Sequence, residues 1–399
     1  MSSTRKATIA LIFNGVSVWF PGAVTFGLLG LLIPLWGEMF NVGRGPLGLV
    51  MTSLLFSVGV FMFIGGRWSD KYGARATVAL GSVIAALSLY LFVYASSLPL
   101  LYVLAFSWGA GICLVYVSAI SSAQRWLPRR RGLASGVVSM LFGASAAVMV
   151  PVFRCLLDTL GYVATLTLTA TLTAVLGLAS SPFIEFPEKL GYLSFQADPP
   201  PQPGPGGYSL SEALRTRAFW LTWVTWALCG GAGIGMVVFS TSISMELGLS
   251  SIAAAAGLAA FNVTNGLGRL VSGYLSDRFG RVAVMASTYL AGALGYAALP
   301  LAGGLYALTI TCNLLAGLSF GTLFAVSAPF IMDCFGTKHY GAIFGFTFTA
   351  YGFIGSWLGP YVGGLLYDLT GSYTSTCMLF AVLCMSSALA IALAKPPRS

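Results

Sequence analysis

The chain has 399 residues, of which 57% are hydrophobic and only 8% charged, and its mean hydropathy is +0.87. Soluble domains carry about 25% charged residues, so this composition excludes a soluble enzyme or a nucleic-acid-binding domain and points to an all-α polytopic membrane protein. The net charge of +9 is a matter of loop topology, as its distribution shows.

Apolar stretches predict twelve spans, at about 8–36, 46–66, 77–97, 100–122, 132–153, 162–183, 218–244, 252–275, 283–302, 305–331, 341–366 and 372–394. Lys and Arg concentrate in alternate loops. Arg5 and Lys6 precede span 1, Arg67, Lys71 and Arg75 follow span 2, and Arg125 and Arg129 to Arg131 follow span 4. Lys189, Arg215 and Arg217 follow span 6, Arg278 and Arg281 follow span 8, Lys338 follows span 10, and Lys395 and Arg398 close the chain. Arg44 and Arg154 fall at the opposite face. By the positive-inside rule both termini are cytoplasmic. Span 1 is too long for the apolar core of a cleavable signal peptide. Short loops suggest a prokaryotic cytoplasmic (inner) membrane.

Taken in chain order, span 1 carries Asn14-Gly15-Val16-Ser17-Val18-Trp19. After span 2 comes Gly66-Arg67-Trp68-Ser69-Asp70-Lys71-Tyr72-Gly73-Ala74-Arg75. Span 4 places Tyr116 at mid-depth, and Trp126 to Gly136, with its triple Arg, opens span 5. Arg154 and Asp158, four residues apart, are placed to pair near the outer end of span 5. Residues 185–216 contain PPPQPGPGG and read as a cytoplasmic linker, with a short surface helix restarting between Ser209 and Leu214. Gly230-Gly231-Ala232-Gly233-Ile234-Gly235 in span 7 follows no strand and lacks a phosphate-loop Lys, so it reads as helix packing or bending. The seven cysteines are scattered, with no metal-site or disulfide spacing.

Span 8 holds the most informative residue. Arg269 lies eight residues before Asp277, about 12 Å from the polar end of its helix and near the middle of a hydrocarbon core about 30 Å thick. An arginine there costs about 2.5–3.5 kcal/mol on insertion scales, and it cannot shed its proton. Such a charge suits a cavity where an anion meets it, which suggests a carrier for a small carboxylate. The competing reading is a structural arginine satisfied by helix carbonyls. Asn265, one turn earlier, shares its face and can hold the guanidinium or bond a substrate, but it cannot carry a proton. No Asp or Glu lies deep in any span. One buried cation matches one negative charge, which favours a monocarboxylate over a dicarboxylate or phosphate. Beyond span 8, Gly273-Tyr274-Leu275-Ser276-Asp277-Arg278-Phe279-Gly280-Arg281 repeats the loop motif of span 2, 207 residues after the first copy. Gly132, Gly136, Pro151 and Asp158 find counterparts in Gly341, Gly345, Pro360 and Asp368 at nearly the same offset. The chain is therefore a duplication: a six-helix bundle over 1–184, the linker 185–216, and a second bundle over 217–399, related as parallel repeats.

Two copies of this loop motif in a twelve-span, 6+6 chain resemble the major facilitator superfamily, over the whole chain. Trp126–Gly136, the Asn14–Trp19 segment and above all Arg269 resemble its branch of monocarboxylate transporters and oxalate–formate exchangers. Asn14 stands where that branch's span 1 signature has an acid, and Asn265 stands where the proton-coupled animal members have an aspartate. The resemblance implies a secondary transporter working by alternating access, with Asp70, Lys71, Arg75, Asp277, Arg278 and Arg281 as gating residues; topology-setting loop charge is the plainer alternative. It implies proton-coupled symport of lactate- or pyruvate-type anions, with Arg269 taking the carboxylate, or else an oxalate–formate-like exchange. Spans 1, 4, 7 and 10 commonly line the cavity in this superfamily. That makes Leu28, Tyr116, Phe320 and Phe324, with Phe348 and Tyr351 of span 11, candidate substrate contacts beside Arg269 and Asn265, though core packing or lipid contact is open for each aromatic. The expected partners are a small monocarboxylate anion, protons and the lipid bilayer, with no nucleic acid, cofactor, metal or enzymatic activity, in a monomer.

Overall fold

The computed structural model describes residues 3–42, 44–192 and 207–395. Every regular element among these residues is helical, the arrangement that satisfies backbone N–H and C=O groups within lipid. In chain order we label α1 (Ser3–Ala23), α2 (Arg44–Tyr72), α3 (Ala74–Leu91) and α4 (Leu98–Trp126). Between Arg131 and Ser180 two helices, 131–160 and 162–180, here α5 and α6, meet at Gly161, whose φ of 78° and ψ of 177° are not helical. Then follow α7 (Arg217–Glu246), α8 (Ser251–Phe279), α9 (Arg281–Ala298), α10 (Tyr306–Phe335), α11 (Tyr340–Thr349) and α12 (Tyr373–Leu393). Among the described residues, eleven helical stretches are long and apolar enough to cross a membrane. The twelfth expected span is α8. Its 29 residues are long enough, but it carries Asn262, Thr264, Asn265 and Arg269 in its middle and is not among those eleven.

The repeated loop motif contains each time a glycine that the backbone requires. Gly73 and Gly280 sit between consecutive helices with φ of 100° and 90°, a region that side chains disfavour. The turn from α2 into α3 and that from α8 into α9 are thus the same device used twice.

Two features differ from straight spans. α1 passes through a π-helical segment, Val24–Leu28, before continuing as Leu29–Phe40, and α11 gives way to π-helical Ala350–Gly355 and Trp357–Val362 before Gly363–Thr370. Pro21 precedes the first and Pro360 lies in the last. Proline removes a helix donor, and the ladder adjusts by widening. Thr25 Oγ1 donates to the Pro21 carbonyl at 2.7 Å at the start of the widened segment.

The core of the expected linker, 193–206, lies outside the described residues. Beyond it the short helix is present as Leu210–Ala213, closed by a capping box in which Ser209 and Glu212 each accept the other's backbone N–H. The chain divides into two compact units, Met1–Pro200 with His339–Phe346, and Pro201–Lys338 with Thr347–Ser399. The start of α11 therefore groups with the first unit.

Candidate functional site

Arg269 is fully buried, and Asn265 is nearly so at 7% exposure. One helical turn separates them, and the geometry follows. Arg269 Nε donates to the Asn265 carbonyl oxygen at 3.1 Å and to its Oδ1 at 3.3 Å, and Nη2 donates to the same Oδ1 at 3.0 Å. The guanidinium carbon lies 4.5 Å from the centre of the Phe324 ring, within cation–π range. These oxygens and this ring are neutral. They orient the guanidinium and ease its desolvation without cancelling its charge.

The height of Arg269 is set by close packing of α8 on α10. A Cβ on Gly317 would come within 2.1 Å of the Phe261 carbonyl oxygen, and one on Gly321 within 2.6 Å of that of Asn265. Small residues at such crossings let backbones approach. Thr264 Oγ1 adds an inter-helix bond to the Leu314 carbonyl at 2.8 Å.

The structure brings Phe320, Phe324, Phe348 and Tyr351 into one cluster, with Phe324 against the guanidinium. Ring centres lie 5.2 Å apart for Phe320 and Phe324, 5.8 Å for Phe324 and Tyr351, and 6.2 Å for Phe324 and Phe348. All four are buried. A fifth ring, Trp226 of α7, completes the cluster and is absent from the sequence reading. It lies 4.2 Å from Phe348, 5.0 Å from Phe324 and 6.1 Å from Tyr351. A signal was available. Gly230 and Gly233 share a helix face with Trp226, four and seven residues on. They are the seats of two rings: a Cβ at Gly230 would meet Tyr351 Cδ2 at 2.7 Å, and one at Gly233 would meet Phe320 Cδ2 at 2.0 Å. Trp223 Nε1 donates to Thr349 Oγ1 at 2.8 Å, holding α7 against the segment that carries Phe348 and Tyr351.

Tyr116 and Leu28 belong to the first unit. Tyr116 is 5% exposed and Leu28 fully buried. The Tyr116 ring tilts against Phe142 at 4.8 Å, and Leu28 closes the π-helical segment of the first span. Asn14, in the same unit, is fully buried, with Nδ2 donating to the Ala10 carbonyl at 2.8 Å and to Ser122 Oγ at 3.3 Å.

The loop-motif charges have defined partners. Asp70 accepts from the backbone N–H of Gly341 at 3.2 Å and of Ala342 at 3.0 Å, at the N-terminus of α11, where the helix dipole favours an anion. Arg125 Nη2 pairs with the same carboxylate at 3.2 Å while its guanidinium stacks over Phe186 at 4.0 Å. Arg75 Nη2 donates to the Pro182 carbonyl at 2.9 Å, and Lys71 lies over the Tyr72 ring. In the second copy Arg281 bridges Asp277 and Asp333, with its Nε 3.0 Å from Asp333 Oδ2, and Arg278 lies over the Tyr274 ring. Arg154 pairs with Asp158 at 3.0 Å on an exposed helix face, as their spacing suggests.

Comparison with known proteins converges on one family. The sequence model described as Major Facilitator Superfamily matches residues 10–357 and 245–399. The oxalate:formate antiporter of Oxalobacter formigenes is 28% identical over 287 residues, 72% of this chain and 68% of that protein. Human monocarboxylate transporter 11 is 29% identical over 398 residues, 95% of this chain and 80% of that protein. Among solved structures, the Escherichia coli fucose:proton symporter superposes with a TM-score of 0.72 over 99% of this chain and 100% of its own, at 19% identity. That likeness establishes the fold alone.

Proposed function

This chain belongs to the Major Facilitator Superfamily, and from that premise we propose that it carries small monocarboxylates of the lactate and pyruvate type by alternating access. The observation that carries the reading is Arg269: a permanent cation, fully buried, oriented by neutral Asn265 oxygens and set over the ring of Phe324, one of a cluster of aromatic rings. A guanidinium fork matches a carboxylate bidentately, and the rings suit a short apolar tail. One charge takes one carboxylate. In this reading Arg269 and Asn265 orient the anion, and Trp226, Phe320, Phe324, Phe348 and Tyr351 enclose its tail. Asp70, Lys71, Arg75, Asp277, Arg278 and Arg281 govern opening at the cytoplasmic side, where both termini lie.

Proton symport is the coupling we favour. Asn265 cannot carry the proton, so the proton travels with the substrate carboxylate. The similarity to an oxalate:formate antiporter supports a second reading, exchange of one carboxylate for another, which an acid-free interior also permits. The test uses purified protein in liposomes holding a trapped pH dye, with the membrane potential clamped and L-lactate added outside. The expected result is internal acidification well above the leak of empty liposomes. Entry of labelled lactate only into vesicles preloaded with another carboxylate would establish exchange instead. Uptake no greater than in empty liposomes under either regime would overturn the carboxylate reading.

A further inference from the structure

The Asn14–Trp19 segment of α1 shapes a cleft in the first unit. Ile12, Gly15 and Trp19 fall on one face of the helix. With Val137 and Leu141 of α5 and Leu176 of α6 they line a space of about 360 Å³. Apart from the Trp19 indole, its walls carry only hydrocarbon side chains. Gly15 leaves the floor bare, since a Cβ there would run into Leu141 Cδ1. The cleft opens outward: Ile12 is 54% exposed, and α6 beside it exposes Val175 and Leu178. All three helices are long and apolar enough to cross a membrane, so the opening meets hydrocarbon. From Ile12 to Trp19 it runs about 10 Å along α1, within one leaflet of a core about 30 Å thick.

The two helices that flank the cleft each carry an arginine beyond it. Arg5 stands seven residues before Ile12 on α1, and Arg130, the residue that caps α5, stands seven before Val137. Seven residues of helix are two turns, about 10 Å, and return to within about 20° of the same face, so Arg5 shares the face of Ile12. The two ends meet. Ala7 and Ala10 of α1 form a buried cluster with Trp126, and Leu127, three residues before Arg130, packs against it. Both helices begin here, so their positive dipole ends add to the charge. Arg5, Arg129 and Arg130 are exposed, and the ion pairs among the described residues do not use them. Their basic neighbours are already engaged, Lys6 with the Tyr192 hydroxyl and Arg125 with Asp70 and Glu188.

We propose that this cleft is a lipid site: it holds one acyl chain of an anionic phospholipid whose phosphate lies between Arg5 and Arg130. In the topology proposed above both arginines are cytoplasmic, so the lipid belongs to that leaflet. The two parts of the site need each other. Lipid tails are as apolar as leucine, so no hydrophobic force drives a chain out of the bilayer into the cleft. The chain gains only the dispersion contacts that an empty space forfeits, and it loses freedom in return. An anionic headgroup supplies the rest, since basic pockets between helices on the cytoplasmic side attract one. The size agrees: 360 Å³ is near the lower end of ligand sites and suits a single chain. A partner helix spanning about 30 Å of hydrocarbon would find only a third of its length accommodated.

The test is native mass spectrometry of the purified full chain, titrated with dioleoyl phosphatidylglycerol, dioleoyl phosphatidylcholine and glycerophosphoglycerol, which is the first headgroup without its chains. The wild type should retain one phosphatidylglycerol about 25-fold more tightly than phosphatidylcholine, since each of two basic residues near a membrane surface contributes about fivefold. The free headgroup should not be retained. Arg5→Gln combined with Arg130→Gln, both at exposed positions, should erase the preference and leave phosphatidylcholine affinity unchanged. Val137→Phe, which fills the cleft, should weaken both lipids alike; the arginine pair keeps the test decisive if that variant folds poorly. Several weakly held lipids with no single saturable site, equal affinity for the two lipids, or a preference that survives the arginine pair would overturn the proposal. So would free headgroup held as tightly as lipid, or efficient cross-linking between two copies through Ile12→Cys in liposomes, which would put a second copy over the cleft. Lactate enters none of these measurements, so failure of the carboxylate reading leaves the lipid site standing, and the reverse.

Discussion

Arg269→Gln is expected to reduce lactate uptake to the level of empty liposomes, a loss of at least about a hundredfold, while the protein folds as well as the wild type. The argument has two halves. A charge-assisted hydrogen bond is worth about 1.5–3 kcal/mol, and a guanidinium makes two to a carboxylate. Glutamine offers one neutral donor in their place. Removing the charge also lifts the cost of keeping a cation at mid-depth, about 2.5–3.5 kcal/mol on insertion scales, so the unfolding temperature should hold or rise. Activity and stability move in opposite directions, which separates a binding role from a structural one. Arg269→Lys keeps the charge but loses the fork and the flat contact with Phe324, and it should retain a small fraction of uptake. Wild-type uptake by the glutamine variant would sink the assignment.

Asp70→Ala is expected to slow lactate turnover by about tenfold or more and to lower the unfolding temperature of the purified protein. The carboxylate accepts two backbone N–H groups at the start of α11 and pairs with Arg125. Anions at helix N-termini contribute about 0.3–2 kcal/mol through the dipole alone. Truncation leaves two donors and a guanidinium, all partly or fully withdrawn from water, to find new partners. Asp70→Asn retains one acceptor oxygen and no charge, so it should fall between the wild type and alanine. The gating role requires that turnover fall more than lactate affinity. Unchanged turnover with unchanged melting would remove Asp70 from both the gate and the stability of its unit.

What could be read in the sequence follows from what kind of signal each feature leaves. Arg269 was legible because a charge in an apolar stretch is conspicuous and its cost is known. Asn265 followed from helical spacing. Gly73 and Gly280 marked the repeated turns, since their positive φ needs glycine each time the loop recurs. Phe320, Phe324, Phe348 and Tyr351 share faces that spacing exposes, but the same spacing fits lipid contact, and only the ring distances bring them into one cluster. Trp226 was invisible as a member of the ring cluster because a tryptophan in an apolar span carries no mark of which neighbour it meets. Gly230 and Gly233 were read as general packing, whereas they are seats for particular rings. The π-helical stretches of the first and eleventh spans were also out of reach. A widened turn is a response of the hydrogen-bond ladder to its surroundings, and hydropathy averages over it.

In the proposed carrier, the buried guanidinium of Arg269 is also a charge in an electric field. One elementary charge crossing the whole field is worth about 2.3 kcal/mol per 100 mV. With a bare monoanion bound, the Arg269 site is neutral, while the vacant site is positive. An inside-negative potential then opposes the outward return of a carrier that has delivered its anion and must travel back empty. Two cycles escape that penalty. In one, the carrier returns with another anion and both legs are neutral. In the other, a proton accompanies each anion, both legs carry the same charge, and the field does no net work. In the proposed carrier, the residue that takes the carboxylate thereby also narrows the kinds of coupling that a polarised membrane allows.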